Sequence, residues 1–230
     1  MPITIRQCIS QIQTDLKSTM DTRIAPRAIW HKYTYTLANI LKQINETKRV
    51  YVSSDIWYKI NCIQMQTIPA ADCPDIFPLV NEFIAKSTVK LPASYTSAAG
   101  DMLRDITSIF PYGKEYTLVT PKEYAKIRKR KFKDPTIGYC FILDDYLYIP
   151  DSEVEKVSVT GAWINPKEAA ILNGEDSCKS ILDYNFYCPE YLVKVVHDAV
   201  LQDLMGANQR VAKDEDTDLN EHSKGQNPKK

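Results

Sequence analysis

The stretch from Ile137 to Ala170 constrains the fold of this chain more than any other part of the sequence. Two apolar runs, 137–143 and 146–149, are separated by Asp144-Asp145, and aspartate tolerates the backbone of a two-residue hairpin turn. Along 155–163, Val or Trp alternates with polar residues, which is typical of a strand with one buried and one wet face. The stretch therefore predicts a tight hairpin followed by a third strand, and it contains no pattern of a catalytic elbow, a phosphate loop or a metal cage.

Two capping patterns predict short helices around this hairpin. Thr120-Pro121-Lys122-Glu123 is a capping box with proline at the first helical position, and it predicts a helix from 121 to about 131. Asn165-Pro166-Lys167-Glu168 is a second cap, and Gly174 ends the helix that follows it. Gly161 lies on the apolar face of its strand, where a bulge or a close backbone contact is expected.

Both ends of the chain have the periodicity of amphipathic helices. Apolar residues recur at spacings of three and four through 3–17 and from Pro26 to Asn45, and a third stripe follows Pro189. Strand character is found between these helices at 50–68, 83–91 and 103–109. Segregated elements of this kind predict an α+β fold. We expect the amphipathic helices at both chain ends to pack together, with an antiparallel β-rich middle module that carries a short inserted helix.

This order divides the chain into four parts. We expect an N-terminal helical hairpin at 1–49 and a β-rich module at 50–165. A C-terminal helical segment, 166–207, is expected to pack on the N-terminal helices. Residues 208–230 are almost devoid of apolar side chains, so they are expected to form a polar flexible tail.

Composition excludes several classes of function. The 230 residues carry 29 basic and 29 acidic side chains, so bulk attraction to nucleic acid or to an anionic membrane is not expected. No segment approaches the roughly 20 apolar residues that span a bilayer, and the N-terminus lacks the pattern of a signal peptide, so cytosolic synthesis is expected. None of the six cysteines forms a Cys-x-x-Cys pair, which favours free buried thiols over a zinc site.

No catalytic residue, cofactor or metal is predicted. Only seven glycines occur, and none belongs to a GxGxxG or Walker pattern. Asp144 and Asp145 are adjacent in a turn, so their carboxylates point apart and turn chemistry explains them better than acid–base pairing. A cysteine paired with His31 or His197 is the remaining enzymatic hypothesis, and the sequence gives no preference for any such pair.

Charge is concentrated in two segments. Residues 121–133 hold seven basic side chains and one acidic side chain, and residues 144–155 hold five acidic side chains and no basic one. The basic run is interpreted in three ways: it binds phosphate, it meets the acidic hairpin of a neighbouring subunit, or it is a solvated helix end. The candidate subunit-interface or DNA-facing residues are Lys126, Arg128, Lys129, Arg130, Lys131 and Lys133.

The acidic hairpin is also rich in aromatic residues. Fourteen tyrosines against six phenylalanines suit a surface with one packed and one wet side, as in subunit contacts, although tyrosine is also common in strands. The candidate subunit-interface residues here are Asp144, Asp145, Tyr146, Tyr148 and Trp163.

The same features, taken in order, resemble the neck or ring adaptor proteins of tailed bacteriophages, within the crAss-like podovirus group. The resemblance covers most of the chain and rests on the amphipathic N-terminal helix pair and the polar tail with its acidic 214–220. It rests further on the motifs Cys62-Ile63-Gln64-Met65, Asp72-Cys73-Pro74, Lys90-Leu91-Pro92, the run from Asp144 to Pro150 and the run from Val157 to Ala169. One departure is Gly161-Ala162-Trp163, where similar proteins often have a Gly-Phe-Glu type of sequence.

The resemblance implies a structural virion protein without cofactor or active site. Such proteins form a ring in the neck, commonly of about twelve copies around the DNA channel, and connect the portal to the tail. The implied partners are copies of the same chain, the portal protein, other neck or tail proteins and the packaged DNA, with no membrane. The implied location is the capsid–tail junction of the virion, after synthesis in the bacterial host cytoplasm. The alternative is a nucleic-acid-binding module that uses the basic helix 121–133.

Overall fold

The computed structural model describes residues 3–19, 24–47, 54–69, 83–97, 100–110, 113–130, 137–150, 152–175 and 177–223. Five α-helices lie within them: α1 (Ile5–Thr19), α2 (Pro26–Thr47), α3 (Pro121–Arg128), α4 (Pro166–Leu172) and α5 (Glu190–Ser223). The strands are β1 (Tyr58–Pro69), β2 (Phe83–Ser87), β3 (Thr96–Ser97), β4 (Gly100–Asp101), β5 (Leu103–Phe110), β6 (Glu115–Leu118), β7 (Gly138–Leu143), β8 (Tyr146–Pro150) and β9 (Lys156–Gly161). Short 3-10 helices cover Ser54–Ile56 and Ile181–Asp183.

Seven strands close into a barrel in the order β1-β2-β8-β7-β6-β5-β9, and β3 with β4 forms a separate two-stranded sheet. The fold is therefore mixed α and β, with a closed barrel at its centre. All neighbouring barrel strands are antiparallel except β6 and β7, which are parallel. The expectation of a purely antiparallel module is wrong at this pair. The reason is that α3 carries the chain from the end of β6 back to the start of β7, so that both strands run in the same direction.

The barrel has two different ends. At the first, named the helical end, β1, β5 and β8 begin and β7 and β9 finish. The segment after β2 crosses this end, where the Leu91 N–H donates to the Asp145 carbonyl (2.8 Å) and the Tyr95 N–H donates to the Ala162 carbonyl (2.8 Å). At the second, named the distal end, β2 and β7 begin. The Asp144-Asp145 turn and the start of β7 therefore lie at opposite ends of the barrel.

The helical end carries a large apolar cluster. Residues of α1, α2 and α5 belong to one cluster of buried side chains, which also includes Tyr95, Met102 and Ala162 from the end of the barrel. Polar contacts accompany it: the Tyr33 hydroxyl lies 3.0 Å from Nδ1 of His197, and Nε2 of His197 lies 2.8 Å from a carboxylate oxygen of Asp15. α2 and α5 are also joined by an exposed ion pair between Lys32 and Asp203.

The barrel strands bury side chains on both faces around β7 and β8. Cys140, Leu147 and Ile149 point into the barrel interior, which forms one cluster of buried residues. Phe141 and Tyr148 point outward and are buried beneath α3, in a second cluster. Both faces are apolar here because a helix covers the outside, so the hairpin has two packed faces and not the single one of an open sheet.

Several local predictions are confirmed. Strand β5 lies where the 103–109 pattern placed it, and both helix caps form. A Cβ at Gly161 would lie 2.6 Å from Leu103 Cδ2 and 2.8 Å from Trp163 Cζ2, which is the expected close contact. The wet face predicted for β9 is wrong at Ser158, which is buried. Strand β9 lies between β1 and β5, and the Ser158 hydroxyl is satisfied by the Thr107 hydroxyl at 2.7 Å.

Two boundaries differ from the prediction. β2 ends at Ser87, four residues before the predicted 91, and the small two-stranded sheet of β3 and β4 follows it. At the other end of the chain, α5 continues to Ser223, through a segment predicted to be a flexible tail. Residues 207–223 contain no glycine or proline, so nothing in their composition interrupts a helix. The mobility of this segment stays a prediction. None of the described helices is long and apolar enough to cross a membrane.

Candidate functional site

The basic segment begins with a well-defined helix start. The Thr120 hydroxyl accepts from the Glu123 N–H (3.2 Å), and a Glu123 carboxylate oxygen accepts from the Thr120 N–H (2.8 Å), which completes the predicted capping box. The Thr120 N–H, together with the Thr120 hydroxyl that donates to the same carboxylate oxygen at 3.0 Å, holds the pKa of the Glu123 carboxyl below its usual value. The cap fixes the point at which α3 leaves the barrel wall.

Tyr124 anchors α3 on the outside of the barrel. It is 7% exposed, and its ring centroid lies 6.1 Å from that of Phe141, which in turn stacks on Tyr148 at 5.8 Å. Aromatic contacts at such separations add about 0.5–1.5 kcal/mol each to the burial of the rings. α3 is therefore held on β7 and β8 by its middle, with its two ends on the surface.

α3, with its basic end, lies on the outer side of the barrel. The Val119 N–H donates to the Cys140 carbonyl (2.9 Å), so the helix begins beside the middle of β7. Lys126, Lys129 and Arg130 are exposed, and Arg128 is half-buried. Lys131 and Lys133, the other two candidates in this run, lie outside the described residues.

The acidic turn lies at the helical end. Asp144 and Asp145 have φ of 51° and 68°, the left-handed conformation that a two-residue type I′ hairpin requires at both positions. A carboxylate oxygen of Asp145 lies 3.5 Å from the Lys90 ammonium. The ammonium of Lys86 lies over the ring of Tyr146, 4.3 Å from its centroid. The turn is thus contacted by two lysines of its own subunit.

A cavity of about 400 Å³ opens beside this turn. Its apolar floor consists of Leu91, Pro92, Ala93, Ile171 and Leu172, and its rim carries Lys90, Asp145 and Glu168. The segment after β2 supplies one wall and α4 supplies the other. The sequence does not predict this cavity, because its two walls are more than seventy residues apart along the chain. The Asn165 cap does indicate that Glu168 and Ile171 are one helical turn from each other.

The sequence of the chain was compared with those of known proteins. Residues 7–223 match a family described as phage tail ring protein 2, of crAss-like phages. The chain belongs to this family. No curated protein matches it. The ring protein is accordingly a structural component of the phage tail, located in the virion, and a ring implies assembly of several copies together with other virion proteins.

Two candidate interface residues of the ring protein lie inside a single subunit. Tyr148 is 6% exposed and stacks on Phe141, and Trp163 is 5% exposed with its indole N–H donating to the Tyr58 carbonyl at 2.9 Å. Gly161 leaves the space that the Trp163 ring occupies. Little of either side chain is therefore exposed on the single subunit, and their role in a subunit contact stays a prediction. Of that set, Asp144, Asp145 and Tyr146 remain on the surface.

The histidine considered for catalysis has a structural environment. Both ring nitrogens of His197 are engaged, by the Tyr33 hydroxyl and by the Asp15 carboxylate, and the side chain is buried between three helices. Such contacts satisfy a core histidine and leave neither nitrogen to accept a proton from a substrate. His31 belongs to the exposed surface of α2.

Buried thiols of the ring protein are poor nucleophiles. Burial raises the pKa of the Cys8 thiol to about 11 and the pKa values of the Cys140 and Cys188 thiols to about 12. A thiolate is the reactive form, so these groups are inert at neutral pH. Cys62 and Cys178 are exposed cysteines, and Cys73 lies outside the described residues. Within the described part of the chain, no cluster of three or more His, Cys, Asp or Glu side chains is arranged to hold a metal ion.

Proposed function

We propose that the ring protein forms a ring in the phage neck that connects the portal to the tail around the DNA channel. Membership of the tail ring family supports a ring, and its resemblance to neck adaptors supports the position next to the portal. In this proposal about twelve identical copies assemble into a closed ring with cyclic symmetry. The portal and other neck or tail proteins are its neighbours.

The observation that carries this proposal is the separation of the two charged surfaces. The acidic turn lies at the helical end of the barrel, and α3 with its exposed basic end lies on the outer face of β7 and β8. A subunit with complementary charges on two different surfaces can contact the next subunit in the same orientation, which is the heterologous contact that a ring requires.

The parts of the subunit have different roles in this proposal. The helices at both chain ends pack as one unit on the helical end, in line with the shared buried cluster of α1, α2 and α5. The barrel and α3 supply the two charged surfaces, and the polar tail predicted at 208–230 contacts another virion protein. The sequence divisions at 49, 165 and 207 correspond to these roles.

Imaging of intact particles tests the proposal. We expect density for the barrel and its helices in a ring below the portal, and the symmetry of that ring gives the copy number. A matched experiment mixes purified ring protein with purified portal protein and measures the mass of the complex. If the protein is found elsewhere in the virion, or if portal and ring protein do not associate, the neck assignment is wrong.

A second candidate function is contact with DNA through α3. Lys126, Lys129 and Arg130 are exposed at one end of this helix, and a ring around DNA turns some surface towards the phosphates. Three phosphate contacts per subunit give a slope of about −2.7 in a plot of log affinity against log salt. The test is DNA retention by the variant Lys126→Glu/Lys129→Glu/Arg130→Glu; retention equal to that of the wild type excludes this function.

A further inference from the structure

The cavity beside the acidic turn has no role in the function described so far. We propose that this cavity receives the basic end of α3 from a second copy of the same chain. This inference rests on the proposed ring and deepens it, because it states which surface of one subunit meets which surface of the next. The chemistry of both surfaces carries it.

The cavity combines an apolar floor with a negative rim. Ile171 is 37% exposed at its edge, although it is a large apolar side chain on a short helix. Two carboxylates, those of Asp145 and Glu168, stand against the single ammonium of Lys90, so the rim carries a net charge of −1. The ion pair between Asp145 and Lys90 is exposed at both partners and 3.5 Å long, and such pairs are weak enough to rearrange when a stronger cation approaches.

The basic end of α3 offers the complementary chemistry. Lys126, Lys129 and Arg130 are exposed there, and Ile137, at the start of β7, is 43% exposed. A surface of cationic side chains suits a negative rim.

A second copy is favoured over other occupants by charge and by geometry. DNA is repelled by the acidic rim. Pairing of like surfaces would bring the two carboxylates of one rim against those of another, which is unfavourable. Contact between the rim and the basic end of α3 of the next subunit avoids both problems. Because the rim and the basic end of α3 are different surfaces, one subunit can use both of them at the same time.

Reciprocal charge changes test the inference on the full-length chain. The first variant, Lys129→Glu/Arg130→Glu, makes the basic end of α3 acidic. The second, Asp145→Asn/Glu168→Lys, makes the rim positive while Asn keeps the left-handed turn residue. The control, Lys42→Glu/Lys122→Glu, has the same change in net charge as the first variant, at exposed positions on α2 and at the other end of α3.

We expect each of the two variants alone to self-associate at least about tenfold more weakly than the wild type, as measured by mass photometry or sedimentation. The control should assemble like the wild type. An equal mixture of the two variants should self-associate with an affinity within about threefold of that of the wild type. In an alternating assembly, half of the contacts have the native charges, and in the other half the signs of the two surfaces are exchanged. Unchanged circular dichroism and melting temperature of each variant show that folding is not the cause.

Cross-linking of the wild type gives an independent readout. A zero-length carboxyl-to-amine reagent should join Glu168 or Asp145 of one copy to Lys126 or Lys129 of another. A mixture of isotope-labelled and unlabelled protein identifies the links that connect two copies. Native assembly of either variant alone, a mixture as dissociated as its parts, or a wild type that stays monomeric would overturn the inference. Intact rings in both variants would refute this docking surface but not the proposed neck ring. Head-to-tail cross-links in a protein that does not associate with the portal would refute only the neck position.

Discussion

Replacement of Tyr33 by phenylalanine probes the hydrogen bonds that join α2, α5 and α1. The Tyr33 side chain is fully buried, and its hydroxyl lies 3.0 Å from Nδ1 of His197. Nε2 of the same ring lies 2.8 Å from the Asp15 carboxylate. A carboxylate only accepts, so Nε2–H of His197 donates to Asp15, and in the tautomer with hydrogen on Nε2 alone, Nδ1 accepts the Tyr33 O–H.

The expected cost follows from the group that is left behind. Phenylalanine keeps the ring and its packing against Phe186, whose centroid lies 5.8 Å away, and removes only the hydroxyl. His197 is 9% exposed, so its Nδ1 then lacks a donor in a place that water reaches poorly. A buried polar group without a partner costs about 1–3 kcal/mol. We therefore expect Tyr33→Phe to lower the free energy of unfolding by about 1–3 kcal/mol.

Urea denaturation followed by tryptophan fluorescence and circular dichroism measures this change. The matched control is Tyr35→Phe, on the same helix but 59% exposed, which should stay within about 0.5 kcal/mol of the wild type. In the double variant Tyr33→Phe/His197→Leu, the two losses should not add, because both remove the same hydrogen bond. Equal stability of the Tyr33 and Tyr35 variants would show that the hydrogen bond contributes nothing to the helical end.

Three further predictions concern single sites. Gly161→Ala should lower the melting temperature, at a cost of about 1–3 kcal/mol from overpacking against Leu103 and Trp163, whereas Gly206→Ala, whose added Cβ meets nothing within 4 Å, should raise it. The pKa of the Glu123 carboxyl is lowered in the folded protein. Its contribution to stability is therefore present above the ordinary pKa of 4.5 and is lost as pH falls through the lower pKa of the folded state. Glu123→Gln should make the free energy of unfolding depend less on pH in the acid range. Maleimide at pH 8 should label Cys62 and Cys178 quickly in the native protein, as measured by peptide mass spectrometry. Rapid labelling of Cys8, Cys140 and Cys188 would contradict the burial of these three thiols.

The elements that the sequence predicts correctly depend on local chemistry. The hairpin turn follows from two aspartates that tolerate positive φ, and α3 follows from a cap whose partners are three residues apart. Local rules of this kind act whatever the rest of the chain does. They therefore predict β7, β8, α3 and α4 without knowledge of the barrel.

The elements that it does not predict depend on distant neighbours. β1 lacks clean alternation because its register with β9 shifts between Ile60 and Ile63, and this bulge moves Ile63 and Met65 to the buried face. Closure of the barrel depends on pairings such as β1 with β9, nearly one hundred residues apart. Whether the Tyr148 side chain is buried or exposed depends on what packs on the outside of its strand, and the sequence of the strand alone does not show this.

Closure of the barrel also determines how copies of the protein can meet. Each of the seven barrel strands that the structure describes is hydrogen-bonded to a strand on both sides. A neighbour therefore cannot add a strand to this sheet, and contacts through the barrel must use side chains. Side-chain contacts between exposed charges weaken as salt rises, since the Debye length falls from about 10 Å at 0.1 M to about 3 Å at 1 M. A ring built on the acidic turn and the basic end of α3 should consequently dissociate in high salt, unless apolar contacts such as those at Ile171 and Ile137 supply most of the association energy.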